Sequence, residues 1–209
     1  RIISLDGLEI VFDEFEPIFD NLSVINRRFV IGTTEGQTIR VADDGVAGNG
    51  ISIIDDAGTG TFESLAFKSP SNFFEITTSD QADTIPIGTL DEDFGASRVV
   101  AAGGGDDSVD ASTYDLAISI SGGDGDDAIT GGSADDNIDG GAGNDTLDGG
   151  AGSDDVDGGT GNTDVVGDAE DGALSVNEDG VFLLTASFVD PVSATIGWGD
   201  GTGVDAATV

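Results

Sequence analysis

The sequence of 209 residues contains no cysteine, no methionine and no histidine, and it holds only six lysine or arginine side chains. Without cysteine or histidine there is no disulfide, no thiol nucleophile, no Ser-His-Asp triad and no Cys/His zinc or haem site. The sequence also lacks an apolar run of about 18 residues, the length that a membrane-spanning helix needs. A metal ion could therefore be held only by oxygen atoms, which suits Ca2+, Mg2+ or Mn2+.

Acidic side chains dominate what is present, since 42 aspartates and glutamates give a formal net charge of -36. A surface of this sign repels a phosphate backbone, so we expect no nucleic-acid partner. High acidity is often a sign of disorder. Here, however, 37% of the residues are hydrophobic and 11 are phenylalanine, which favours a packed core once the acids are neutralised.

Residues 1–101 form a β-rich N-terminal region with its own composition. All six basic residues and nine of the eleven phenylalanines lie in the first 98 positions. No helical period persists, and short β-rich runs recur between turn signals, at 8–12, 28–31, 38–41, 51–54 and 73–77. This pattern is typical of a sandwich, a barrel or an irregular solenoid such as a β-helix, and the sequence leaves that choice open.

Residues 102–167 are a repeat of glycine, aspartate and single apolar residues. Between positions 102 and 171, 18 glycines and 18 aspartates occupy 70 positions without any lysine or arginine. An outlying unit, AGGGDDSVD (102–110), shares a nine-residue frame with five gapless units: GGDGDDAIT (122–130), GGSADDNID (131–139), GGAGNDTLD (140–148), GGAGSDDVD (149–157) and GGTGNTDVV (158–166).

Each unit predicts a sharp turn followed by a short strand, because glycine adopts positive φ freely and few residues remain for the strand. Two units then complete one coil, and alternate units contribute to opposite sheets. The apolar eighth residues fall accordingly into two sets, with Ile129, Leu147 and Val165 on one sheet and Ile138 and Val156 on the other.

The sixth-position aspartates follow the same alternation, so Asp127 and Asp145 fall on one edge and Asp136 and Asp154 on the opposite edge. Neighbouring coils are about 4.8 Å apart, where bare carboxylates repel by several kcal/mol at an effective dielectric of about 20. A divalent cation between each pair would turn this repulsion into ligation. Carbonyls of the glycine turns could complete the shell of roughly six to eight oxygens that Ca2+ prefers.

The repeat resembles the RTX (hemolysin-type) calcium-binding nonapeptide GGxGxDxUx, in which U is apolar. The resemblance implies a parallel β-roll that binds several Ca2+ ions, roughly two to five. Two sets of residues stand at the implied metal positions. They are the aspartates Asp107, Asp127, Asp136, Asp145 and Asp154, and the turn glycines Gly123, Gly132, Gly141, Gly143, Gly150 and Gly152.

Three positions depart from the repeat. Ala134 replaces a fourth-position glycine, which predicts a slightly strained turn, and Ala102 replaces the first glycine of the outlying unit, which makes Asp107 a weaker ligand. Thr163 stands at the sixth position of the last unit, so a site between Asp145 and Thr163 is in doubt, although Asp164 could substitute.

Residues 168–209 contain LSVNEDGVFLLTASFVDP and IGWGDGT, which resemble the opening half of the PKD-like or cadherin-like modules of bacterial surface proteins. The resemblance implies partial immunoglobulin-like strands, since a full sandwich needs about 100 residues. The chain starts at Arg1 and not at methionine, so we also expect it to be a piece of a longer protein.

These resemblances imply an all-β, secreted calcium-binding module of a bacterial cell surface, structural or adhesive, that folds and becomes rigid on Ca2+. Two alternatives remain open, a subunit of a self-assembling extracellular filament and a non-catalytic accessory domain of a secreted RTX enzyme. Glycans and neighbouring surface-protein domains or subunits are further candidate partners, and we expect no membrane insertion.

We expect no catalytic residue. Adjacent acids such as Asp13 and Glu14, or Asp91 and Asp93, could form a glycosidase pair, but in so acidic a chain they are typical of solvated turns.

Overall fold

A computed structural model describes residues 23, 25–32, 34–57, 64–90, 94 and 97–161 in full, together with the backbone of the strands outside these ranges. Every regular element among the described residues is a β-strand, as the composition predicts. The strands are β1 (Ile2–Leu5), β2 (Leu8–Val11), β3 (Ile18–Asp20), β4 (Asn26–Val30), β5 (Arg40–Asp43), β6 (Ile51–Asp55), β7 (Leu65–Lys68), β8 (Phe73–Thr77), β9 (Thr84–Pro86), β10 (Ser97–Gly104), β11 (Ser108–Asp110), β12 (Ser119–Asp124), β13 (Ala128–Thr130), β14 (Asn137–Ala142), β15 (Thr146–Asp148), β16 (Asp155–Gly159), β17 (Asp164–Asp168), β18 (Ser175–Glu178), β19 (Leu183–Ser187), β20 (Thr195–Gly197) and β21 (Val204–Ala206).

Two long sheets form the body of the molecule. A nine-stranded sheet has the order β18-β16-β14-β12-β10-β8-β4-β1-β2, and a six-stranded sheet has the order β19-β17-β15-β13-β11-β9. From β8 to β19, successive strands alternate between these two sheets, and neighbours within each sheet are parallel. The chain therefore winds as a parallel β-solenoid, which confirms the predicted roll.

The length of a coil changes along the solenoid. Equivalent residues on adjacent coils are 18 positions apart between Asp127 and Asp145, 20 apart between Asp107 and Asp127, and 24 apart between Asp83 and Asp107. Eighteen residues are two nonapeptides, as the repeat predicts. The longer upstream coils keep the same path without keeping the period.

A single apolar core runs between the two sheets. In the repeat region, Ile138 pairs in register with Val156 on the nine-stranded sheet, and Leu147 lies between Ile129 and Val165 on the six-stranded sheet. Every one of these side chains that the structure describes is at most 1% exposed. The predicted division of the apolar residues into two inward-facing sets is therefore correct.

At the upstream end, four phenylalanines join the aliphatic residues of the core. Phe74 lies 5.9 Å from Phe29, 5.7 Å from Phe67 and 5.1 Å from Phe94, measured between ring centroids. The guanidinium of the buried Arg27 stacks over the Phe67 ring. Since β4 pairs in parallel with β8, this region belongs to the same solenoid. Strands β3, β7, β6 and β5, in this order, form a separate four-stranded sheet.

The C-terminal strands divide into two kinds. Strands β18 and β19 pair in parallel with β16 and β17 and so extend both long sheets, whereas β20 and β21 form an antiparallel pair of their own. The side chains of these four strands lie outside the described residues.

Candidate metal centre

The turns between the strands stack into two columns. Turns of the first column lead from the nine-stranded sheet to the six-stranded sheet and comprise 78–83, 102–107, 122–127 and 140–145. Turns of the second column lead back and comprise 131–136 and 149–154. Each turn ends at a sixth-position aspartate, which stands immediately before a strand.

Glycine is required in these turns for two separate reasons. Gly123 and Gly141, at the second position, have φ values of +113° and +99°, which side chains other than glycine rarely adopt. A Cβ atom on Gly141 would also stand 2.2 Å from the carbonyl oxygen of Gly123 on the preceding coil. The coils can therefore stack closely only where this position has no side chain.

The turn 131–136 takes a different path. Neither Gly132 nor Ala134 has a positive φ, whereas Gly150 and Gly152, at the same positions of the next coil, have φ values of +80° and +132°. The alanine at the fourth position therefore does not occupy the left-handed region, and the strain predicted for it is absent from this turn.

The carboxylates of the first column form a ladder. In each step, Oδ1 of one aspartate accepts a hydrogen bond from the backbone N–H of the aspartate one coil upstream. The three bonds join Asp145 to Asp127 (3.0 Å), Asp127 to Asp107 (2.8 Å) and Asp107 to Asp83 (2.7 Å). All four side chains are buried, with at most 2% of their surface exposed. Each aspartate thus reaches one coil towards the N-terminus.

The second column repeats this arrangement on the opposite edge. Oδ1 of Asp154 accepts from the N–H of Asp136 (2.9 Å), and Oδ1 of Asp136 accepts from the N–H of Ile118 (3.0 Å). Oδ2 of Asp136 also accepts from the N–H of Gly132 at 2.6 Å. The structure therefore brings together the two aspartate pairs that the repeat predicts, each on its own edge.

The first glycine of a unit makes room for two oxygen atoms. A Cβ atom on Gly122 would lie 2.2 Å from Oδ2 of Asp127 and 2.6 Å from the carbonyl oxygen of Gly140 on the next coil. A Cβ on Gly140 would in turn lie 2.6 Å from Oδ2 of Asp145. A carboxylate oxygen and a main-chain carbonyl oxygen therefore converge beside each of these glycines, and both are ligand types that Ca2+ prefers.

Burial leaves part of this negative charge uncompensated. Oδ2 of Asp107 and Oδ2 of Asp127 find no hydrogen-bond donor among the described residues. Loss of hydration raises the pKa of Asp107 to about 7 and that of Asp127 to about 6. Hydrogen bonds from backbone N–H groups partly oppose the rise in pKa, and the charges of neighbouring carboxylates increase it. Burial likewise raises the pKa of Asp136 and of Asp154.

The donor set fits a hard divalent cation. No three carboxylates gather into one cluster within the described ranges, so main-chain carbonyls would have to supply the other ligands of each ion. All the available ligand atoms are oxygens, and the buried carboxylates of Asp107 and Asp127 each keep one oxygen that has no hydrogen-bond donor among the described residues. This combination suits Ca2+, which takes roughly six to eight oxygen ligands in flexible geometry.

Asp83, which the repeat does not predict, continues the first column upstream of the glycine repeat. The turn 78–83 reads TSDQAD and contains no glycine, so the repeat frame does not find it. The other half of the unit was nevertheless present, because Asp83-Thr84-Ile85 has the same form as Asp145-Thr146-Leu147. The side chains of Thr163 and Asp164 lie outside the described residues.

A second, exposed ladder was also missed, formed by the fifth residues of the turns. Oδ1 of Asp126 accepts from the N–H of Asn144 at 2.8 Å, and Oδ1 of Asp106 accepts from the N–H of Asp126 at 3.0 Å. These aspartate side chains reach one coil towards the C-terminus, whereas the buried aspartates reach one coil towards the N-terminus. They join the coils at the surface and hold no buried charge.

The fold and the site together define a parallel β-roll with one buried carboxylate at the end of each turn. Residues 119–136 and 130–165 match the family model described as the RTX calcium-binding nonapeptide repeat (4 copies). This match confirms the resemblance drawn from the repeat and supports a Ca2+-binding structural module. It does not reach residues 168–209, whose likeness to PKD-like modules stays a prediction, and no curated protein or solved structure matches the chain.

Proposed function

We propose that this chain is a non-catalytic, extracellular calcium-binding module whose roll folds and becomes rigid when Ca2+ enters the turn columns. The observation that carries the proposal is the buried carboxylate oxygen of Asp127, which has no donor among the described residues and converges with the Gly140 carbonyl beside Gly122. A divalent cation there would neutralise the charge and use both oxygens. Binding free energy then becomes folding free energy, because the site exists only in the folded coil.

The extracellular assignment rests on calcium supply. Extracellular modules bind Ca2+ with dissociation constants of roughly 10⁻⁴ to 10⁻³ M, so a roll of this kind would stay unfolded where Ca2+ is scarce. On this ground of calcium supply we place the module outside the cell, as a rigid spacer or adhesive element of a surface protein. Separately, none of the described segments forms a helix that is long and apolar enough to cross a membrane.

The proposal assigns no catalytic residue. The buried acids of the described turns are engaged in the two columns, and an activity needs its own set of residues beyond a fold. The adjacent acids Asp13, Glu14, Asp91 and Asp93 lie outside the described residues. A screen on polysaccharide and ester substrates that found turnover by this chain would contradict the assignment.

The filament and accessory-domain alternatives keep the same calcium-dependent roll and differ in what is attached to it. Size-exclusion chromatography with and without Ca2+ separates a monomeric module from a filament subunit, which would assemble on Ca2+ addition.

Calorimetric titration of the intact chain tests the binding function. We expect roughly two to five Ca2+ per chain and much weaker binding of Mg2+, which prefers strict octahedral geometry and gives up water reluctantly. Asp127→Asn should remove at least one ion. Asp126→Asn is the matched control, because Asp126 is its exposed neighbour in the same turn, and it should keep the wild-type number. Absence of Ca2+ binding by the wild-type chain would refute the function.

A further inference from the structure

Turn 78–83 occupies the same place in the first column as the glycine turns, but its carboxylate is closed by protein donors. Oδ1 of Asp83 accepts from the N–H of Gln37 at 2.6 Å. Oδ2 of Asp83 accepts from both the N–H and the hydroxyl of Ser79, each at 3.3 Å. Both oxygens of this buried carboxylate therefore have partners within the chain.

The first position of this turn is filled as well. Thr78 stands where the downstream turn has Gly122, and its hydroxyl donates to the carbonyl oxygen of Ala102 on the next coil. In the downstream turn, the corresponding next-coil carbonyl, that of Gly140, converges with the aspartate beside the glycine. In turn 122–127, a carboxylate oxygen and a next-coil carbonyl oxygen are left for a cation. At turn 78–83, hydroxyl and amide groups of the protein donate hydrogen bonds to both of these kinds of oxygen.

The next turn, 102–107, lacks both substitutes. Its first residue is Ala102, whose methyl group takes part of the space that Gly122 leaves free but cannot donate a hydrogen bond as the Thr78 hydroxyl does, and its second residue is Gly103, which has no hydroxyl. Asp107 is 2% exposed, and its Oδ2 has no donor among the residues that the structure describes. This turn also lies upstream of residues 119–165, the part that matches the calcium-binding repeat.

Hydrogen bonding to both oxygens does not by itself close a turn. Asp136 also accepts hydrogen bonds from two backbone N–H groups. The first residue of its turn, however, is Gly131, and the Gly149 carbonyl oxygen still lies beside that glycine together with Oδ2 of Asp136. Turn 78–83 differs because Thr78 fills this space with a donor.

We infer that Asp107 is the first cation-binding carboxylate of the first column, and that turn 78–83 is a metal-free end of that column, closed by Thr78 and Ser79. The inference rests on the proposed calcium function and extends it upstream of the matched repeat. The coils that contain Phe29 and Phe74 then fold without metal and present a finished edge on which the calcium-dependent coils assemble.

Two matched substitutions test the inference, since Asp83 and Asp107 are the same residue on adjacent coils of one column. In the intact chain, Asp107→Asn should bind one Ca2+ fewer than wild type by calorimetry or equilibrium dialysis. Asp83→Asn should bind the wild-type number, although it places an amide donor against Ser79 and lowers stability both with and without Ca2+. An unchanged count in Asp107→Asn, or a lost ion in Asp83→Asn, would overturn the inference.

A measurement on the unmodified chain covers the case in which a variant does not fold. Carbon-13 NMR of the aspartate carboxyl groups during a Ca2+ titration should show the Asp107 resonance shifting while that of Asp83 stays in place. Equal shifts of both, or movement of Asp83 alone, would contradict the inference. If wild type binds no Ca2+ at all, the proposed function fails; if Asp127 responds and Asp107 does not, only this inference fails.

Discussion

The upstream and downstream coils follow one solenoid path but are stabilised by different means. Upstream, a cluster of phenylalanine rings packs among aliphatic residues of the core, and the hydroxyls of Thr78 and Ser79 donate hydrogen bonds within the turn column. In the nonapeptide coils downstream, the inward residues are single aliphatic side chains such as Leu147, and the turns are glycines around a buried carboxylate. Two neighbouring parts of one sheet therefore differ in the composition of their core and in how their turns are hydrogen-bonded.

The reason for this difference lies in what each coil gains on folding. An aromatic side chain buries roughly 150–250 Å², whereas glycine buries no side chain and loses the most backbone entropy of any residue. The downstream coils combine many glycines with buried, incompletely compensated charge. We infer that they need cation binding to offset these terms, while the upstream coils do not.

Core truncation should separate the two regions most strongly. Phe74→Ala should cost about 3–5 kcal/mol in both the presence and the absence of Ca2+, because its neighbours are other aromatic rings. Leu147→Ala should cost about 2–5 kcal/mol, seen chiefly as a higher Ca2+ concentration at the folding midpoint. Thermal melts and Ca2+ titrations by circular dichroism measure both effects, and an unchanged Ca2+ midpoint for Leu147→Ala would show that folding there is not coupled to calcium.

Glycine substitutions should distinguish a turn that has a stacked neighbour from one that has none. Gly45 (φ +91°) and Gly141 (φ +99°) both have a left-handed backbone. A Cβ added at Gly45 would meet no atom within 4 Å, whereas one added at Gly141 would lie 2.2 Å from the Gly123 carbonyl oxygen. Gly45→Ala should cost about 1–2 kcal/mol, and Gly141→Ala about 2–5 kcal/mol, because the overlap with the Gly123 carbonyl is added. Denaturant unfolding in excess Ca2+ gives both values, and equal values would mean that coil-to-coil approach does not require this glycine.

Acid should affect the two regions in opposite directions in calcium-free buffer. The raised pKa values of Asp107 and Asp127 mean that their folded forms hold protons more tightly, so this stabilisation is full below about pH 4 and is lost as the pH rises through about 6–7. Asp55 behaves oppositely, since its hydrogen bond with Arg40 lowers its pKa, and its contribution is lost as the pH falls.

Melts in EDTA at pH 5 and pH 8 check this expectation. The downstream coils should be more stable at pH 5, and Asp107→Asn should reduce the difference. A calcium-free roll that is more stable at pH 8 would contradict the burial account.

The exposed ladder should give the smallest effect. Asp126→Ala removes the acceptor of two hydrogen bonds from Asn144, at 2.8 and 3.1 Å, from the solvent-exposed side of the turn. A loss of about 0.5–1.5 kcal/mol is expected in excess Ca2+, with the number of bound ions unchanged. Denaturant unfolding paired with a Ca2+ count measures both, and loss of an ion would place the metal on the exposed face.

The part of the fold that the sequence predicts is the part with a fixed period. Eighteen-residue coils put Ile138 beside Val156 and Asp127 beside Asp145, because glycine positions and apolar alternation set the register together. For the upstream coils the sequence left a solenoid open beside a sandwich and a barrel, since no period is visible: 24 residues separate Asp83 from Asp107 and 46 separate Gln37 from Asp83. Coil length can vary there because side-chain packing and turn hydrogen bonds, and not a repeated motif, fix the stacking.

The site shows the same division. The paired aspartates follow from the repeat, but Asp83 was missed because its turn has no glycine, and the absence of a positive φ at Gly132 and Ala134 was not predicted by the repeat frame. Neither feature is a property of a single unit. Both depend on the neighbouring coil, which supplies Gln37 to one turn and Ile118 to the other.

Hydrogen exchange measured by mass spectrometry on the intact chain, with Ca2+ and with EDTA, tests whether the downstream coils need calcium to fold while the upstream coils do not. We predict that amides in residues 73–90 keep their protection in EDTA, whereas those in residues 119–161 lose it and regain it when Ca2+ is restored. Protection of residues 119–161 that persists unchanged in EDTA, or loss of protection throughout both segments, would contradict the account.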